Sequence, residues 1–524
     1  MKIQKCTWAI LLMLTIFGTW FRISHLSEDN LYFADEGQYI EEARFLAGYG
    51  KSVGLQYAKP VYSGILAAAL HLGDNHILTA QRLQACIASL WIPLIFFFSW
   101  KLFRNEWMAL LAALMTCVDP WIYFYSRHLF SDPLATLFWM LCLLCLMIRA
   151  HPMRWITISA LLFGLSLGSN YRMILFLPGS LLFLFLSSEG SLKERIQIGA
   201  TWLGFLCLPL LAYQWIYSFF WPEARYSYLR QLIPAILFHS GFGIRFNSLE
   251  TYPALVLHYE GFLYAVFLVL GILALIRRKE KVAVYLLSST YLLSLIGLAI
   301  SYFPFARSWA PLLFWHPLLS SLGIGWMASI TLQKIPKLFI PLTMGLVIGI
   351  FTGLFSHSLQ LRKMKMPYSQ ALNWIQSRLQ PPYNLVYSKP VLIGEIVPDW
   401  SLAYYLTGVI PGYNHGWEWI IELPRYGFRY VLLDDFQFVW PEHSMKIIKE
   451  PLASSLYTQC KPLKSFFCES SRDFWQAVAW EHNVSLRETK SFIHQNDLGE
   501  KPCLEIFDLR TCPRLPATVS PTTN

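Results

Sequence analysis

Five short polar stretches interrupt the apolar sequence that makes up the first two thirds of this chain, and their residue types suit one chemistry. The first is Asp35-Glu36 in YFADEGQYI. The second is Lys59-Pro60 in QYAKPVYSGILAAALHLGD, two residues after Tyr57. The third, YFYSRHLFSDPLA, holds Arg127, His128 and Asp132. The fourth is Asn170-Tyr171-Arg172, and the fifth is Arg307 in YFPFARSWAPLLFWHPLL. Ionised groups beside hydrocarbon are costly and are kept where they have a task. Transfer of a sugar from a lipid-linked phosphate would use this set of groups. A carboxylate takes the proton from an acceptor hydroxyl as it attacks the anomeric carbon, and cations stabilise the departing phosphate. Asp35 is the candidate base, with Glu36 beside it. Lys59, Arg172 and Arg307 are candidate phosphate partners, since a guanidinium suits planar, bidentate contacts. Asp132 is a candidate to orient the acceptor, to bind a divalent metal or to stabilise a nearby cation. Tyr57, Arg127 and His128 are candidate substrate contacts.

Each of these residues has a plainer role open to it. Asp35-Glu36 suits a helix start after Ala34, and Asp132 before Pro133 suits another. Lys59 and Arg307 are long enough to snorkel to lipid head groups. Arg172 reads equally as a loop cation, and His128 and His316 as structural side chains. What favours a shared site is that all five stretches fall on one side of the expected membrane.

That expectation comes from composition. Of 524 residues, 55% are hydrophobic and 14% charged, well below the roughly 25% charged of ordinary soluble domains. The apolar residues come in blocks long enough to cross a hydrocarbon core about 30 Å thick, and in lipid such blocks must be helical to satisfy their backbones. The expected spans are 7–23, 77–100, 107–124, 133–149, 155–171, 173–187, 196–219, 256–276, 282–303, 309–330 and 337–356. No small-residue cleavage site follows the first run, so it reads as a retained span and not a signal peptide. The net charge of +10 sits in short connections such as MKIQK, KLFR, RAHPMR, LKER, RRKEK and QKIPK, at every second gap between runs. This positive-inside alternation puts the N-terminus in the cytoplasm and the polar stretches outside. It excludes nucleic acid as the partner the charge serves; membrane lipids are.

The first outer loop, 24–76, is longer than a hairpin needs, which points to function. Within it, in IEEARFLAGYGK, Ile40, Ala43, Leu46 and Ala47 share one helical face while Glu41, Glu42 and Arg44 point away, the pattern of a helix lying on a membrane surface. From about 357 the chain turns polar and Pro-rich, so residues 1–356 read as a transmembrane domain and 357–524 as an extracytoplasmic α/β domain. There PYSQALNWIQSRL has helical spacing, while NLVYS, RYVLLDD and CLEIFDL look like strands. Cys460, Cys468, Cys503 and Cys512 lie in this tail and are compatible with two disulfides or with free thiols. Asn483-Val484-Ser485 is a glycosylation sequon on the same side.

These motifs together resemble the GT-C superfamily of integral-membrane glycosyltransferases, in the group of protein O-mannosyltransferases and bacterial lipid A aminoarabinose transferases. Asp35-Glu36 matches the acidic motif of the first outer loop. Lys59-Pro60 matches a Lys-Pro-Pro element, with Val61 in place of the second proline. Asp132 in RHLFSDPL matches a second acidic position, GLSLGSNYRMILFLP a Gly-Leu-x-x-x-x-Lys element with Arg172 at the basic position, and ARSWAPLLFWHPLL a late Arg-x-x-x-Pro-x-x-Pro stretch. The resemblance covers roughly residues 8 to 330. It implies an α-helical polytopic protein of about eleven transmembrane helices with a C-terminal α/β domain. It also implies a polyprenyl-phosphate-linked sugar as donor, a lipid, glycan or protein as acceptor, and inversion at the anomeric carbon with Asp35 as base. No cofactor is expected with certainty, and a divalent metal is left open. Two other classes compete: a transporter or flippase, disfavoured because the charges gather at the outer boundary with no clear internal repeat, and a non-catalytic scaffold of envelope assembly.

Overall fold

The computed structural model describes residues 3–26, 34–49, 59–148, 152–220, 247–278, 280–300, 306–334, 336–362, 368–379, 385–387, 429–434, 461–467, 504–508 and 510–511. The chain divides into two compact units. One comprises Met1–Leu26, Gly54–Arg362 and Trp480–Asn483; the other comprises Ser27–Val53, Lys363–Ala479 and Val484–Asn524.

The described helices, numbered along the chain, begin with α1 (Lys5–Ile23), α2 (Ala34–Leu46), α3 (Pro60–Leu72), α4 (Ile77–Ser89), α5 (Trp91–Phe103) and α6 (Glu106–Val118). They continue with α7 (Pro120–Arg127), α8 (Asp132–Leu146), α9 (Pro152–Ser169), α10 (Leu177–Ser187), α11 (Leu192–Phe220) and α12 (Asn247–Tyr259). The last are α13 (Phe262–Arg278), α14 (Lys281–Leu286), α15 (Leu293–Ile300), α16 (Trp315–Lys334), α17 (Pro336–Arg362) and α18 (Tyr368–Arg378). Only α2 and α18 belong to the second unit. Three tighter or wider turns intervene in the first: 3-10 turns at Tyr171–Phe176 and Ala306–Leu312, and a π turn at Leu287–Leu292.

Among the described residues, five helices are long and apolar enough to cross a membrane, or six if the α6–α7 pair counts as one span. The expected runs are therefore not all uninterrupted helices, and the interruptions have local causes. The run 107–124 bends by 53° between α6 and α7. Pro120 cannot donate to the α6 ladder, and Asp119 restarts the helix by accepting the Ile122 N–H at 2.9 Å. The run 256–276 is cut at Gly261, which has φ +85°, a conformation that costs glycine little. The runs 133–149, 155–171 and 173–187 fall on shorter apolar helices, the last two parted by the 3-10 turn after Asn170.

The interior of this unit is close-packed. Ile92, Phe96, Ala109, Ala113, Phe267 and Ile324 belong to one buried cluster. α13 and α16 approach so closely at Gly271 that a Cβ there would lie 1.8 Å from the Leu319 carbonyl oxygen. Small residues at such crossings let two backbones meet.

In the second unit, β1 (Leu385–Tyr387), β2 (Tyr430–Asp434), β3 (Lys464–Phe466) and β4 (Leu504–Asp508) form one sheet in the order β1-β2-β4-β3. β1 runs parallel to β2, while β4 is antiparallel to both β2 and β3. Helix α2 departs from expectation. Ile40 and Ala43 are buried, as the apolar face requires, but Glu42 and Arg44 are buried as well. Both are engaged in polar or ring interactions, as buried charges must be, so they do not form an outward polar face. The side chain of Glu41, the four tail cysteines and the sequon lie outside the described residues.

Candidate functional site

The site is built around residue Asn170, which follows the end of α9. Its Oδ1 accepts the Arg172 N–H at 3.1 Å and so starts the 3-10 turn. Its Nδ2 donates to Asp132 Oδ1 at 2.9 Å. Asp132 is the first residue of α8 and is buried. Its carboxylate is thus directed across to α9 and does not cap its own helix.

Lys59 reaches the same place from α3. Pro60 sits in the first turn, where a missing N–H costs nothing, and Lys59 precedes it as the N-cap. α3 packs against α9, which brings the Lys59 ammonium to 5.9 Å from the Tyr171 ring centroid. At 4% exposure this lysine is buried and does not snorkel outward.

Arg307 comes from a later segment of the chain. The 3-10 turn Ala306–Leu312 packs on α8, and the guanidinium lies 5.2 Å from the Phe130 ring centroid, 7% exposed. Phe130 is two residues before Asp132, and its carbonyl accepts from Gln84 Nε2 at 2.8 Å. Lys59, Asp132, Arg172 and Arg307 are therefore linked through two short segments, 130–132 and 170–172. The two segments and their ring partners carry three cations and one carboxylate, an excess of positive charge that suits an anion. Arg172 is half-buried.

The remaining candidates fare differently. His128 is buried, its ring 4.5 Å from that of Phe124 and 5.9 Å from that of Phe130. Arg127 donates to the backbone carbonyls of Arg22, Ser24 and His25 at 2.8, 2.9 and 2.9 Å. It also lies over the Tyr123 ring at 5.3 Å, so its donors lock the end of α1. Glu36 is fully buried on α2 in the second unit. Asp35 is also on α2, with its side chain outside the described residues, and Tyr57 lies outside them altogether. Among the described residues, no group of three or more His, Cys, Asp or Glu is placed to hold a metal ion.

A second polar cluster was not anticipated as a unit. His316 Nδ1 is hydrogen-bonded to Glu260 Oε1 at 2.7 Å, and the Tyr252 hydroxyl bonds to His316 Nε2. The Tyr252 and Tyr291 hydroxyls are 3.0 Å apart. All four side chains are buried. Trp121 packs on Tyr259 at 5.2 Å and sets its ring edge-on to His316 at 6.1 Å. A further unexpected member of the interior is Arg22, fully buried and donating to the carbonyls of Gly18, Cys117 and Thr116. The signal for both was in the sequence: Arg22 and Glu260 are charges set within apolar runs, which marks intramembrane positions with a partner.

Comparison with known proteins gives these clusters a context. Residues 58–217 match the family described as dolichyl-phosphate-mannose-protein mannosyltransferase. The fold is similar to the crystal structure of ArnT from Cupriavidus metallidurans bound to undecaprenyl phosphate. The TM-score is 0.58 at 13% identity, over 83% of this chain and 94% of that one. It is also similar to the archaeal oligosaccharyltransferase AglB from Archaeoglobus fulgidus, in complex with an inhibitory peptide and a dolichol-phosphate. There the TM-score is 0.53 at 10% identity, over 96% of this chain and 88% of that one. No curated protein sequence matches the chain. In its family match and in its fold, the chain resembles the GT-C integral-membrane glycosyltransferases, in the group of protein O-mannosyltransferases and lipid A aminoarabinose transferases.

Proposed function

We propose that the protein transfers a sugar from a polyprenyl-phosphate-linked donor to a hydroxyl or amine of a lipid, glycan or protein at the outer face of the cytoplasmic membrane. The observation that carries this reading is the packing of buried Lys59 on Tyr171 and of buried Arg307 on Phe130, in the two short segments joined by the Asp132–Asn170 bond. The family match over 58–217 spans three of the four charged residues there. Two proteins of similar fold were solved with a polyprenyl-type phosphate bound.

In the proposed reaction the acceptor oxygen or nitrogen attacks the anomeric carbon as the bond from that carbon to the phosphate oxygen breaks. The proton of the acceptor passes to Asp35, the resemblance-based choice of base, with Glu36 beside it. The electron pair of the broken bond leaves on the polyprenyl phosphate, whose developing charge Lys59 and Arg172 stabilise, while Arg307 holds the phosphate alike before and during transfer. Asp132, held by Asn170, orients the acceptor. A single in-line displacement inverts the anomeric configuration. His128 and Tyr57 are assigned to substrate contact, and Arg127 to holding α1. A divalent metal remains open to test by chelation. The proposed arrangement in the membrane has a cytoplasmic N-terminus, about eleven crossings within 1–356 and an extracytoplasmic α/β domain over 357–524.

The reading is tested in liposomes containing the protein and a radiolabelled polyprenyl-phosphate sugar. Asp35→Asn keeps the shape of the side chain and removes the base. The expected result is a loss of transfer of at least about 10²-fold, the lower range for a positioned general base, with donor binding retained. Full transfer by this variant would remove Asp35 from the mechanism.

A further inference from the structure

We infer that Glu260, His316 and Tyr252 are positioning residues for Arg307, an inference that rests on the donor-phosphate role proposed above for that arginine. Arg307 is carried by a seven-residue 3-10 turn, Ala306–Leu312. Such turns have poor hydrogen-bond geometry and do not hold their shape alone. Trp309, in the same turn, is fully buried and packs its ring on that of Tyr252 at 4.7 Å and 35°. Where Tyr252 is held, the turn is held.

Tyr252 is fixed through its hydroxyl from two sides. One ring nitrogen of neutral His316 donates and the other accepts, so its bonds to Glu260 and to Tyr252 hold the ring from both sides. The Tyr252 hydroxyl also bonds that of Tyr291 at 3.0 Å. The members of this network come from separate elements. Tyr252 is on α12, Glu260 stands at the break before α13, and His316 opens α16. Tyr291 comes from the π turn, a distortion frequent at functional sites. Trp121 lies against His316, Tyr252 and Tyr259 and blocks the rings from swinging. Bonds buried this deeply are expensive to leave unmade, so the network specifies one arrangement.

None of Glu260, His316 or Tyr252 is more than 6% exposed, and each acts on the donor only through the turn it braces. That predicts a particular kinetic signature. A phosphate contact made equally in ground and transition states affects KM and leaves kcat unchanged. His316→Leu, with the bracing removed, should raise donor KM about tenfold, the scale of one displaced charge-assisted contact, and leave kcat within about twofold. Glu260→Gln still offers His316 Nδ1 an amide oxygen or an amide N–H and should stay within about twofold of the unaltered protein. The decisive comparison is a double-mutant cycle with Arg307→Gln. If His316 works through Arg307, adding His316→Leu to Arg307→Gln should change donor KM no further.

Three results would overturn the inference. The first is an additive effect of the two substitutions, and the second is a fall in kcat with donor KM unchanged. The third is an equally large defect in Glu260→Gln, which would mean that charge and not placement matters. Arg307→Gln with unaltered binding of undecaprenyl phosphate would instead defeat the phosphate role itself, and the inference with it. Should His316→Leu fail to fold, Tyr252→Phe carries the same cycle, since it keeps the ring stacked on Trp309 and removes only the hydroxyl.

Discussion

Asn170 shows how much one neutral side chain arranges in a site otherwise made of charges. Its two amide ends start the turn that carries Arg172 and hold the Asp132 carboxylate. Asn170→Leu leaves that buried carboxylate without its amide donor, at a cost of about 1–3 kcal/mol. The expected readout is a lower melting temperature of the purified protein together with reduced transfer, and an unchanged melting temperature would deny Asn170 this role. At this scale the charged members were legible in the sequence, because a lysine or aspartate stands out against apolar neighbours. The role of Asn170 was not, since its partner Asp132 is 38 residues away and neither residue's type fixes that pairing. His316 was legible only as a structural histidine. Its bond to Glu260 depends on two helix starts 56 residues apart.

Helices decide where those residues meet, and the contact of α13 with α16 is the least forgiving. A methyl group at Gly271 would collide with the Leu319 backbone, and one at Gly323 would lie 2.2 Å from the Phe267 carbonyl oxygen. Backbone cannot yield as a flexible side chain does. Gly271→Ala should therefore cost about 1–3 kcal/mol, as overpacking in a filled interior does. α16 begins three residues after the turn that carries Arg307, so the same substitution should weaken donor binding. Thermal denaturation and donor titration measure the two effects, and a variant unchanged in both would contradict this account of the crossing. The apolar runs told which segments are helical. They did not tell where those helices break, because a run is scored by its mean while a break is set by single residues such as Asp119-Pro120 and Gly261.

Across the whole molecule, the two units answer to different physics. The second unit has a sheet in which β1, β2 and β4 coincide with the segments expected as strands, NLVYS, RYVLLDD and CLEIFDL. The three-residue β3 was not among them. At one end of β4, Arg429 donates to Asp508 through Nε at 3.0 Å and Nη2 at 2.7 Å. Burial pushes the Asp508 carboxyl up, but hydrogen bonds from the Arg429 side chain and the Arg510 backbone N–H, with the charges of both arginines, outweigh it and hold the group below the usual aspartate range. A carboxyl whose pKa is depressed on folding stabilises the folded state above its unfolded value, about 3.9, and loses that contribution as pH falls through the folded value. Asp508→Asn should therefore raise hydrogen exchange in strands 430–434 and 504–508 at neutral pH, with the difference from the unaltered protein shrinking below about pH 4. A difference that persists unchanged in acid would remove the ion pair from the explanation.

The first unit rests on a different claim, that its buried cations receive a polyprenyl phosphate. The direct measurement is the affinity of undecaprenyl phosphate, against the uncharged undecaprenol, for the purified protein and for Lys59→Gln and Arg307→Gln. The account predicts that the phosphate binds more tightly than the alcohol, and that each substitution lowers phosphate affinity by about tenfold or more, as loss of a charge-assisted contact should, while alcohol binding stays the same. Equal affinity for phosphate and alcohol, or phosphate binding indifferent to both substitutions, would contradict it.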